Sequence, residues 1–127
     1  MELERFTVPE LLFNPSDVGM AQGGLPEAIH DAITSCDVGL QGSLYNNIVL
    51  TGGNTRFPGM QSRVLKELRA IAPDRYGVNV FAPEDPSNYA WMGGSLMAQD
   101  VGVLQSQFLT KENYDEWGPN ALSAVSW

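Results

Sequence analysis

Two stretches of the chain carry a helical repeat of apolar residues. Leu25, Ile29, Ala32, Ile33 and Cys36 recur at helical spacing, and Met60, Val64, Leu65, Leu68 and Ile71 form a second stripe. Pro26 fits the first turn of the first helix and Glu27 suits its positive end. Pro58 can open the second helix, and Pro73 stops it. Between them, "NIVLT" reads as a short buried strand, and after them "YGVNVFA" alternates Val78, Val80 and Ala82 as a second strand. The opening "FTVPELLFNPSDVGMAQGG" is broken by prolines and glycines, which predicts a helical turn at Pro9–Phe13 and then a loop. "DVGLQGSLYNN" predicts a loop with one helical turn around Ser43–Tyr45. A proline-punctuated loop then leads into a helix from about Asn88 to Asp100. Two short helices follow, near Val101–Gln105 and over Lys111–Trp117, the latter with Thr110 as N-cap. This order implies an α/β layer. Two strands do not make an independently stable sheet, and the apolar faces of at least three helices need a partner surface. The chain therefore reads as the last part of something larger.

Composition narrows the class. The 127 residues fit one compact domain, and a hydrophobic fraction of 43% suits a globular core. No apolar run reaches the roughly 18–20 residues of a membrane span, and "MELERFTVPELLF" has no positively charged leader, so no secretory signal is expected. Cys36 stands alone, which excludes an internal disulfide and favours a reducing compartment. The net charge is −8 with only seven Lys and Arg. Four of these, Arg56, Arg63, Lys66 and Arg69, fall near one helix and are interleaved with Glu67 and apolar residues, as on a solvated face. That pattern argues against direct nucleic-acid binding, and the acidic balance favours solubility or basic protein partners. His30 falls off its helix's apolar face and has no second His nearby, so it reads as a surface residue and not a ligand.

The candidate chemistry lies in two glycine pairs. In "LTGGNTRFPGM" a strand delivers Gly52 and Gly53 to its carboxyl end, where open α/β sheets bind ligands. Glycine has no Cβ, so a ribose or phosphate can touch the backbone, and the helix opening near Pro58 would direct free N–H groups to the same region. The spacing matches neither the dinucleotide fingerprint nor the P-loop. On physics alone, a nucleotide role and a plain tight turn stand level. In "YAWMGGSLMA", Gly93 and Gly94 fall inside a helix, where each costs about 1 kcal/mol relative to Ala. Close packing against another backbone explains them, with Trp91 as a core anchor. No Asp, Glu or His is placed by a motif for acid–base work.

Taken in order, "ERFTVPELLFNPSDVGM", "NNIVLTGGNTRFPGM", "APEDPSNYAWMGGSLMA" and "LTKENYDEWGP" resemble the C-terminal third of actin, nearly end to end. Within that family, "NPSDVGM", "GLPEAI" and "PEDPSNYAW" look most like the nuclear actin-related proteins of the sixth class, subunits of complexes that exchange a histone variant into nucleosomes. The resemblance implies an α/β fragment of the fold shared by actin, sugar kinases and heat-shock chaperone ATPases. Residues 1–88 would form most of the third subdomain, and residues 89–127 the C-terminal helices returning to the first.

It also implies an ATP site, as Mg-ATP in the intact protein, to which this fragment supplies Gly52, Gly53, Asn54, Arg56, Phe57 and Ser87. The positions of Arg56 and Phe57, Met and Tyr in actin, border the adenine. An adenine-packing lysine of actin falls at Ser87, and its Tyr neighbour at Asn88. Actin's partner groove is lined by positions matching Met92, Leu96 and Met97, which interior packing would explain equally. The family's phosphate-clamping hairpins, metal-coordinating acid and water-orienting residues have no counterpart in these residues. The fragment is therefore expected to be no enzyme by itself, to carry no metal ligands and to bind no nucleotide alone. Asp17 stands where actin has a Phe in the plug that packs between filament strands, and burying an unpaired carboxylate there is costly. The expected role is a non-filamentous nuclear scaffold whose partners are other remodelling subunits and, as candidates, histones, with no nucleic acid or membrane contact. The alternative is a fragment of a cytoplasmic, filament-forming actin ATPase of the cytoskeleton.

Overall fold

Met60, Val64 and Leu68 fall about one helical turn apart, and all three are buried. That stripe organises the surrounding chain. The computed structural model describes residues 3–102 and 109–120. Its elements are α1 (Glu4–Glu10), α2 (Leu25–Thr34), α3 (Val38–Tyr45), β1 (Ile48–Val49), α4 (Met60–Ile71), β2 (Val80–Phe81), α5 (Tyr89–Met97) and α6 (Lys111–Trp117). Short 3₁₀ turns lie at Pro15–Val18 and Gly53–Arg56. The architecture is mixed α/β, in two compact units, Met1–Ser87 and Asn88–Trp127.

In the first unit β1 and β2 pair in parallel, Ile48 opposite Val80 and Val49 opposite Phe81, with α4 in the crossover. Phe13, Leu50, Met60, Val64, Leu68 and Val80 form one buried cluster, to which Ile48, Val78 and Ala82 add partly buried contacts. The alternation of Val78, Val80 and Ala82 thus marks the covered face. A second cluster joins Ile33 of α2, Tyr45 of α3 and Ala72 after α4. The stripes are narrower than the sequence suggests, because Ala32, Cys36, Leu65 and Ile71 remain largely exposed.

Three local expectations change. The helical turn placed at Pro9–Phe13 is instead the exit of a longer helix, α1, which contains Pro9. Proline removes one amide donor, and tighter bonds carry the chain past it: Leu12 N–H to Pro9 O (3.2 Å) and Phe13 N–H to Glu10 O (2.9 Å). The stretch read as a loop with one turn is the full helix α3. The Asp37 carboxylate caps it by accepting from Gly39 N–H (2.8 Å), and the buried Gln41 amide donates to Thr34 O (3.2 Å) and Cys36 O (3.1 Å). His30 is half-buried, not a free surface residue. Its Nδ1 shares a 2.8 Å hydrogen bond with the hydroxyl of the fully buried Tyr45, whose ring stacks on Tyr76 at 5.6 Å. Burial, reinforced by Tyr76, pushes the Tyr45 phenol up, which keeps it a neutral hydrogen-bonding group.

The basic residues around α4 are more than a solvated face. Arg63 makes a two-pronged contact with Glu10 of α1, bonds Glu67 (2.8 Å), and lies 3.9 Å from the centre of the Phe13 ring. Arg69 donates to the carbonyls of Tyr76, Ala72 (2.8 Å) and Pro73 (2.9 Å), closing the end of α4. Hydrogen bonds from Arg63, then Asn14, hold the Glu10 carboxyl at about 2, against an ordinary 4.5. Because the folded value is depressed, this contact's stabilisation is complete above pH 4.5 and fades as pH falls towards 2. Arg63→Gln should therefore flatten the acid limb of stability over that range, read as urea midpoints against pH. An unchanged slope would refute it. Partial exposure of both side chains keeps the effect small.

In the second unit, α5 has no buried residue, and Trp91, expected as a core anchor, is 73% exposed. A Cβ added at Gly93 or Gly94 meets nothing within 4 Å, so the close backbone neighbour expected there is absent among the described residues. The helix over Lys111–Trp117 forms as expected, with Thr110 Oγ1 accepting from Asn113 N–H (3.2 Å). The one expected at Val101–Gln105 lies mostly outside the described residues.

Candidate functional site

Leu50 anchors the end of β1 in the core, and the chain then emerges through Thr51 to Gly52. Gly52 sits at φ +97°, ψ 167°, a region that glycine alone occupies without strain. Its N–H donates to Pro86 O (2.7 Å), and its carbonyl accepts from Thr55 N–H (3.2 Å) and Thr55 Oγ1 (2.7 Å). These bonds lock the rim, and the first brings the loop carrying Ser87 against it. Gly53 opens the 3₁₀ turn that also carries Asn54 and Arg56, and Phe57 N–H closes back onto Asn54 O (3.4 Å). Gly59, at φ +82°, makes the turn into α4. The helical N-terminus expected near Pro58 is thus divided in two: the turn at the glycine pair is 3₁₀, and α4 starts only at Met60.

The structure therefore gathers Gly52, Gly53, Asn54, Arg56 and Phe57 on one continuous turn and sets Ser87 beside it. Sequence reasoning missed Thr55 and Pro86, which hold the rim. The spacing of Thr55 three residues after Gly52 was the available signal, whereas the Pro86 contact is purely tertiary. A Cβ added at Gly52 or Gly53 meets nothing within 4 Å, so the rim is open to an approaching ligand. The Arg56 side chain is exposed and has no ion pair among the described residues. Phe57 also lines an apolar groove of about 390 Å³ with Phe6, Pro9, Leu12, Phe13 and Met60, walled by Arg63 and Glu10. Met92, Leu96 and Met97 are all substantially exposed on α5, in the second unit.

The rim fits a nucleotide in its donor set. It offers an open glycine backbone, one unpaired guanidinium, and no carboxylate between Gly52 and Pro58. Among the described residues no group of three His, Cys, Asp or Glu side chains is placed to hold a metal ion. Nor is any helix there long and apolar enough to cross a membrane. Gly52→Ala is expected to cost about 1–3 kcal/mol through backbone strain alone. Gly53→Ala, at a position without positive φ, should fall within about 1 kcal/mol of neutral. Thermal melts of the two variants check the contrast, and equal losses would contradict it.

The class follows from comparison with known proteins. The actin family profile matches residues 1–125, and the chain belongs to the actin family. Among curated relatives it is similar to Actin-related protein 6 of Dictyostelium discoideum, 48% identical over 117 residues, which cover 92% of this chain and 24% of that protein. Actin-related protein 6 of Drosophila melanogaster is 44% identical over 115 residues, 91% of this chain and 29% of that protein. The Oryza sativa subsp. indica protein of the same name is 50% identical over 115 residues, 91% and 27%. The chain thus spans about a quarter of the length of these relatives.

Proposed function

We propose that this chain is the C-terminal part of a nuclear actin-related protein of the sixth class, a non-filamentous scaffold subunit of a complex that exchanges a histone variant. The observation that carries the reading is the repeated 44–50% identity to proteins named Actin-related protein 6 in amoeba, insect and plant. In this reading, residues 1–88 belong to the third subdomain and residues 89–127 to helices of the first. Gly52, Gly53, Asn54, Arg56, Phe57 and Ser87 form one wall of an ATP cleft. The glycine backbone lets ribose and phosphate approach, and Arg56 and Phe57 border the base. A bound nucleotide supplies negative charge and a rigid body that brace the two sides of the cleft. Met92, Leu96 and Met97 are the partner groove, where other remodelling subunits or histones dock. In this reading the fragment alone does not hydrolyse ATP, because the family's water-orienting residues have no counterpart in its sequence.

Isothermal titration of the 127-residue chain with Mg-ATP, with phosphate release followed in parallel, tests the cleft assignment. Weak or no binding and no turnover are expected, and micromolar binding with turnover would end it. The scaffold assignment is tested by pelleting a full-length protein in which this chain replaces the matching region of the Dictyostelium relative. It should stay in the supernatant. Polymer would favour a filament-forming actin, against the exposed Asp17.

A further inference from the structure

The rim at Gly52 and Gly53 runs on into an arginine and an exposed ring. Arg56 ends the 3₁₀ turn, and Phe57 follows it, 45% exposed. Such a ring is a platform on which any base can stack, so it holds a nucleotide without choosing the base. The choice falls to the polar groups around it. Between Gly52 and Pro58 the sequence has no carboxylate. Phe57 also lines the apolar groove, and among the described residues lining that groove the single carboxylate is Glu10. Both Glu10 oxygens accept from Arg63, and one accepts from Asn14 Nδ2 as well (2.6 Å). On the loop beside the rim, the Asp85 carboxylate accepts from Ser87 N–H (3.2 Å). The Thr55 hydroxyl donates to Gly52 O (2.7 Å). Arg56 differs from all of these: it is exposed and has no ion pair among the described residues. The ring therefore has a free donor fork beside it, while the nearby carboxylates are already engaged.

The two purines differ at the edge such a fork would read. Beside N7, adenine carries an amino group that donates, whereas guanine carries O6, which accepts. A guanidinium only donates, and two of its parallel N–H groups fit O6 and N7 together. Against adenine the same fork meets N7 with one N–H and sets the other against the amino hydrogens. Guanine's own donors lie on its other edge and need not face the arginine. We propose that the base selected at this rim is guanine, with Phe57 as the stacking platform and Arg56 as the residue that reads O6 and N7. The proposal rests on the reading of the rim as one wall of a nucleotide cleft and changes only the base which that wall prefers.

The test is calorimetric binding of Mg-GTP and Mg-ATP to a full-length protein in which this chain replaces the matching region of the Dictyostelium relative. GTP should bind about 10-fold tighter or more, the order by which one good two-pronged contact discriminates between bases. Arg56→Met should bring the two nucleotides within about twofold, chiefly by weakening GTP. Arg56→Lys keeps the charge but loses the fork, and should do nearly the same. ATP binding as tightly as GTP in the parent overturns the proposal and leaves the cleft standing. A preference that survives Arg56→Met, with both nucleotides weakened alike, puts Arg56 on the phosphates and also overturns it. Binding of neither nucleotide removes the cleft and the proposal together. Should the chimera misfold, the Arg56 Nε–H signal of the 127-residue chain is followed by NMR during titration with each nucleotide to millimolar concentration. It should move at lower GTP than ATP, and equal movement, or none, overturns the proposal.

Discussion

Leu68→Ala is expected to lower the stability of the chain by about 2–5 kcal/mol. Leu68 is fully buried on α4 and packs in one cluster with Phe13, Leu50, Met60, Val64 and Val80. These residues come from the α1 exit, the segment just after β1, β2 and α4 itself, so one side chain ties the helix to the sheet and to the chain leaving α1. Truncation removes the burial of three carbons and leaves a cavity. Collapse around it is limited, because Val80 is held in register opposite Ile48 and the Leu50 amide is bonded to Phe81 O (2.9 Å). Small domains carry roughly 5–15 kcal/mol in total, so the variant should lose a large part of its margin. Urea titration measures this, with Leu65→Ala as the control. Leu65 is 37% exposed on the same helix and should cost under about 1 kcal/mol. Equal losses at the two positions would mean that α4 does not face the core as described.

Gly24→Ala is the second large effect, and its cause is different. The Gly24 backbone, at φ −72° and ψ 177°, is one that alanine adopts freely. The obstacle is space. An added Cβ would lie 1.9 Å from the carbonyl oxygen of Phe13 and 2.7 Å from its carbonyl carbon. Both are backbone atoms, and the adjoining segment is pinned by the bond from Leu25 N–H to Leu12 O (2.8 Å). Gly24 N–H also donates to Glu27 Oε2 (2.8 Å), which fixes the start of α2. Relief requires moving α2 away from Phe13, itself a core residue, at an expected cost of about 3 kcal/mol. Denaturation curves give the size, and faster exchange of the Leu25 amide would locate it. A Gly24→Ala protein as stable as the parent would show that α2 and the Phe13 segment are not in this close contact. Gly52 is the useful contrast, strained by its dihedral angles but surrounded by open space.

Residue spacing alone was enough for the elements whose side-chain period is their own stabilising force. The stripe of α4, the alternation in β2, the Thr110 cap of α6 and the strand leading to Gly52–Gly53 were all legible, because local spacing dictates which face is buried. The motif order likewise made the actin family readable from residues alone. Helix α3 was not legible. "VGLQGSLY" has two glycines and no clear apolar face, and the helix is held by the Asp37 cap, Gln41 bonds to Thr34 and Cys36, and the buried Tyr45. His30 gave no sign of its partner, because Tyr45 is fifteen positions away in sequence. The pairing of Arg63 with Glu10 spans fifty-three positions and turned an apparent surface cation into a clasp between α1 and α4. At the candidate site, the glycines announced themselves, but their geometry depends on Pro86 and Thr55. Tertiary structure decided these points because each rests on a polar or aromatic group whose partner is remote in the chain, and no local period records such a partner.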